Sequence, residues 1–80
     1  MKIYDYNGKK NICGKMVRAL RKQMKLSQTD LCAKLQILGV IIERDSLSRI
    51  EIGTRFVTDY EIVCLAKCLN VSVNQLLDIE

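Results

Sequence analysis

Eighty residues suffice for one domain and no more. At 49% hydrophobic and 28% charged the chain is not of a disordered class, and with no Pro or Trp and one Phe it leans toward aliphatic helices packed on helices. The formal charge of +4 is mild but uneven: residues 1–25 hold eight Lys or Arg against Asp5 alone, and residues 26–80 hold five against eight acids. That asymmetry suits either a basic face near a polyanion or a solvated N-terminal segment.

Residues 1–11 are polar and basic and read as an N-terminal arm, with the domain proper over residues 12–80. From Ile12 the apolar spacing turns helical: Ile12, Met16, Leu20 and Met24, with Val17 alongside, predict a first helix over 12–24 capped by Asn11. Ser27-Gln28-Thr29-Asp30 offers an N-cap serine with an acid three residues on, and Leu31, Leu35 and Leu38 continue one stripe to a stop at Gly39. A second helix is therefore expected over 28–38. Val40-Ile41-Ile42 is too apolar for an ordinary loop, so these residues, with Leu31, Leu35 and Leu38, are expected in the core. A third, short helix over 44–52 puts Leu47 and Ile50 on one side and Arg44, Asp45, Ser48 and Arg49 on the other, ending at Gly53. Thr58 to Glu61 and Ser72 to Gln75 form two further capping boxes, opening a fourth helix that stops at Asn70 and a last one carrying Leu76 and Leu77.

Two helices joined by a connection, the second short and polar on its outer side, suit the major groove of DNA. The forks of Arg44 and Arg49 match the O6 and N7 acceptors of guanine, Asp45 can accept from cytosine N4, and Ser48 can serve either way. Free backbone N–H groups at the start of the second helix, with Ser27 and Gln28, suit a phosphate, and Thr54 and Arg55 stand where a second backbone contact would fall. The bland alternative makes the arginines solvated surface charges and Asp45 a helix-dipole partner.

Three segments in order, Leu26 to Leu31, Leu47 to Gly53 and Leu65 to Ser72, resemble the Cro/lambda-repressor (Xre) helix-turn-helix family over residues 12–78. The resemblance implies an all-α, five-helix domain that binds palindromic operator DNA, usually as a homodimer, and regulates transcription. It assigns Gln28 to phosphate, Arg44, Asp45, Ser48 and Arg49 to bases, and Arg21 and Glu51 to a structural ion pair. Three departures stand out: a longer connection between the second and third helices, Cys32 where a small residue is common, and Ile52 in place of an Asn. A competing expectation on the same fold is an antitoxin-like or adaptor module that binds protein, favoured by the apolar 37–42 stretch and by Glu43 and Asp45.

With no His, no phosphate-cradling glycine loop and no carboxylate pair in an apolar setting, catalysis is not expected. Cys64 and Cys68 share a helix face, but Cys13 and Cys32 lie in other elements, so no metal, cofactor or small-molecule ligand is expected. No apolar run approaches a membrane span and the start lacks a signal-peptide core, so a cytoplasmic protein with reduced thiols is expected.

Overall fold

The computed structural model describes residues 6–79; the first five residues of the expected arm lie outside the described residues. Among the described residues the chain forms five helices and no strand: α1 (Gly14–Gln23), α2 (Gln28–Ile37), α3 (Arg44–Ile52), α4 (Asp59–Cys68) and α5 (Val73–Leu77). α3 packs on α1 and α2, α2 also meets α4, and α5 packs on α4 and α1. Every helix gives to one core, in which Val17, Leu31, Leu35, Leu47, Ile50, Leu65 and Leu76 are wholly buried. No described helix is long and apolar enough to cross a membrane.

The local signals set the helix ends. Ser27, Thr58 and Ser72 each accept from the N–H three residues on, while Asp30, Glu61 and Gln75 return the bond to the cap residue's own N–H. At the end of α2, Gly39 takes φ +85°, the Val40 N–H bonds the Leu35 carbonyl at 3.0 Å and the Gly39 N–H that of Gln36 at 2.9 Å, a Schellman closure. Lys25 makes the same left-handed turn between α1 and α2 at φ +59°, without a glycine.

α1 starts two residues later than its apolar spacing predicts. The Asn11 Oδ1 accepts from the Gly14 N–H at 2.8 Å, but the Asn11 amide also donates to the carbonyls of Ile50 (3.1 Å) and Arg55 (2.8 Å). So anchored on the far end of α3, the lead-in leaves Ile12 exposed, and the first helical residue is Gly14. Gly14 lies against α3 so closely that a Cβ there would collide with the Ile50 carbonyl oxygen.

The described part of the arm is built into the body. Asn7 and Gly8, both at positive φ, turn the chain so that Tyr6 and Lys9 exchange backbone bonds of 2.6 and 2.9 Å. The Lys10 N–H then donates to the Gly53 carbonyl at 2.8 Å, and Lys9 Nζ to that of Ile52 at 2.9 Å. Residues 6–11 thus cover the carboxyl end of α3, whose last carbonyls would otherwise lack donors.

The connection from α2 to α3 is only half in the core. Val40 and Ile42 are buried, whereas Leu38 and Ile41 are exposed, Ile41 by 70%, and Ile37 at the end of α2 by 84%. Alternation of in and out is what an extended strap imposes: one of its two sides faces the core and the other faces water.

Candidate nucleic-acid interface

α3 divides cleanly by side. Leu47, Ile50 and Glu51 are buried; Arg44, Asp45, Arg49 and Ile52 are exposed and Ser48 is half-buried. Arg44, Ser48 and Ile52 follow one another at four-residue steps along one row, with Asp45 and Arg49 on the adjacent row. Arg49 Nη2 lies 3.4 Å from Asp45 Oδ2, both side chains largely in water. An exposed pair of this kind contributes less than about 1 kcal/mol, so either partner is readily released to another contact.

Behind this face, Glu51 is gripped from two helices. Arg21 Nε donates to Glu51 Oε2 at 2.7 Å and Arg21 Nη2 to Oε1 at 3.0 Å, a bidentate fork. The third arm of the guanidinium donates to the Leu26 carbonyl at 2.8 Å. The hydrogen bond to Glu51 holds the Arg21 proton more tightly than usual, outweighing burial, which acts the other way. Gln28 Nε2 adds a bond of 3.2 Å to Glu51 Oε1. The orientation of α3 is therefore fixed by α1 and by the first residue of α2. No buried side-chain N or O among the described residues is left without a partner.

The expected phosphate-contacting residues are placed less simply. Gln28 turns its amide inward to Glu51. Ser27 is exposed, its hydroxyl oxygen accepting from the Asp30 N–H at 3.0 Å. The Ser27 N–H, bonded to the Asp30 carboxylate at 2.9 Å, holds that acid below its ordinary pKa, so a negative charge sits in the first turn of α2. Thr54 is exposed, with its hydroxyl a long 3.5 Å from the Arg49 carbonyl. Arg55 is committed internally: Nη1 donates to Phe56 O at 2.9 Å and to Glu61 Oε1 at 3.1 Å, and Nη2 to Glu61 Oε2 at 3.2 Å. Burial pushes the Glu61 pKa up, but the Arg55 guanidinium and the Thr58 N–H together bring it below the ordinary range.

The structure adds a feature that motif reading did not assemble. A groove of about 670 Å³ runs between α1 and α3, with Lys9, Lys15, Arg18 and Lys22 facing Ser48 and Ile52, and with the Arg21–Glu51 pair and Gln28 in its walls. Its signal in the sequence was the basic excess of residues 1–25, which says nothing of where those charges meet α3.

The four cysteines are free thiols; Cys13 and Cys68 are buried and Cys32 and Cys64 partly so. Burial raises the pKa of Cys13, Cys32 and Cys68, which keeps them protonated near neutrality. Among the described residues no three His, Cys, Asp or Glu side chains converge as a metal site would require.

No family model matches the chain, and no curated protein or solved structure matches it either.

Proposed function

We propose that this protein is a sequence-specific, double-stranded DNA-binding transcriptional regulator of the Cro/lambda-repressor (Xre) kind, with α3 as its recognition helix. The observation that carries the reading is the division of α3. Arg44, Asp45, Ser48 and Arg49 face outward, while Glu51, bound by Arg21 and Gln28, holds the helix from behind. A reading helix needs both properties, because base edges are discriminated only when the side chains reaching them are held in register. On this reading the five helices are arranged as in the lambda-repressor domain with a lengthened connection before α3. The protein acts in the cytoplasm, as a homodimer on a palindromic operator, without catalysis or cofactor. Base contact falls to Arg44, Asp45, Ser48 and Arg49. Phosphate contact falls to Ser27, Gln28 and Thr54, and to Arg55 only if its fork is shared with Glu61.

Selection of bound sequences from a random duplex pool tests this directly. Recovery of a symmetric pair of half-sites supports the reading, and no retention of any duplex at low salt overturns it. Arg49→Ala is expected to weaken binding to the recovered site by about 1–3 kcal/mol and to relax preference at one base position. A uniform loss across all sequences would instead make Arg49 a backbone contact.

A protein-binding module on the same fold is the rival reading, supported by the exposure of Ile37, Leu38 and Ile41 next to Glu43. Absence of duplex binding at low salt would favour it.

A further inference from the structure

Lys15, Arg18 and Lys22 stand at i, i+3 and i+7 on the exposed side of α1. The ion pairs among the described residues use Arg21, Arg49 and Arg55, so none of these three cations has an acidic partner there. Like charges at such spacings repel along a helix. Lys15, moreover, lies in the first turn of α1, where the helix dipole disfavours a cation and where no acid offsets it. Among the described residues no ion pair offsets that repulsion, whereas an anion lying across the three cations would relieve it.

The position of the groove says which anion fits. Its far wall is Ser48 and Ile52, which belong to the outward row of α3 that begins at Arg44. A chain of phosphates lying in the groove would therefore run directly beside whatever α3 reads. Among the described residues that line the groove the one carboxylate, Glu51, is already balanced by Arg21, so their summed charge is positive.

We propose that the α1–α3 groove, through Lys15, Arg18 and Lys22 with Lys9 and Ser48 beside them, clamps the phosphodiester backbone flanking the major groove that α3 enters. The inference rests on the DNA-reading proposal above and extends the footprint to the helix preceding the two-helix motif. Because phosphate contacts carry no base information, these residues set affinity and register but not sequence preference.

The test compares the full chain with a triple variant, Lys15→Gln, Arg18→Gln and Lys22→Gln, whose sites are all exposed. Far-ultraviolet dichroism and the thermal midpoint verify its fold. A control variant, Lys34→Gln with Lys67→Gln, removes two positive charges away from the groove. Each is titrated over a salt series with a short random-sequence duplex and with a duplex recovered by selection. The triple variant is expected to lower the slope of log K against log salt by roughly 2–3, about 0.9 for each phosphate it no longer neutralises. The ranking of sequences should be unchanged, and phosphates whose ethylation blocks the wild type should no longer matter to the variant. An unchanged slope, or an equal change per charge removed in the control variant, overturns the clamp while leaving the DNA reading intact. An altered ranking overturns the backbone assignment. Failure of the wild type to bind either duplex at low salt overturns both proposals together.

Discussion

The carboxylate of Glu51 accepts from Arg21 through both oxygens and from Gln28 through one, with only 3% of its side-chain surface in water. Removing it would leave the Arg21 guanidinium, itself 9% exposed, with its Leu26 carbonyl bond alone. An uncompensated buried charge is the expensive outcome, so Glu51→Ala is expected to destabilise the fold by about 3–5 kcal/mol. Urea unfolding measures this, and a loss below about 1 kcal/mol would mean that the pair behaves as an exposed one. The double replacement Arg21→Met with Glu51→Leu should recover much of the loss, because it removes both charges and retains the volume. Arg55 shows the complementary limit of residue-scale reading. Its position after α3 suggested an outward phosphate contact, yet Glu61 lies six residues on and takes both arms of the fork. Arg and a capping glutamate are each legible alone; that they meet depends on the path of the intervening loop.

At the scale of elements, what could be read locally is what closes locally. The boxes at Ser27, Thr58 and Ser72, and the stops at Gly39, Gly53 and Asn70, are each formed within a few residues of chain, and the starts of α2, α4 and α5 and the ends of α2, α3 and α4 fall where those residues stand. The misplaced start of α1 and the outward Leu38 and Ile41 depend on contacts the local pattern does not contain. Asn11 is held by α3 far along the chain, and three consecutive branched residues give no alternation from which to tell the buried side of the strap. Gly14 belongs with these. A glycine inside a helix ordinarily gains about 0.5–1 kcal/mol on replacement by alanine. Here the added methyl would meet the backbone oxygen of Ile50, which cannot rotate away. Gly14→Ala is therefore expected to destabilise, by roughly 1–3 kcal/mol, as α1 and α3 are forced apart. A rise in the thermal midpoint would refute so close an approach. The same separation would strain the Arg21–Glu51 fork, so the variant should also respond less to loss of Glu51 than the wild type does.

For the molecule as a whole, two ion pairs tie the segments around α3 to the rest. Arg21–Glu51 joins it to α1, and Arg55–Glu61 joins the loop that follows it to α4. The second pair makes global stability depend on pH in a defined direction. Burial alone would raise the Glu61 pKa, but Arg55 and Thr58 bring the folded value below that of the unfolded chain. Acid then protonates the unfolded state first and draws the equilibrium toward it. The stabilisation is complete above the ordinary glutamate range, about 4.3, and is lost as pH falls through that range to the lower folded value. Asp30, held down by the Ser27 N–H, acts in the same direction. Glu61→Gln separates charge from capping, since a Gln side-chain oxygen can still accept the Thr58 N–H that Glu61 now takes at 3.0 Å. At neutral pH the variant should be less stable by about 1–2 kcal/mol, the loss of one charge-assisted fork. Thermal melts from about pH 7 to about pH 3 should show that difference shrinking toward zero as the wild-type carboxylate is titrated. A gap of constant size over the whole range would assign the stabilisation to the shape of the side chain and not to its charge.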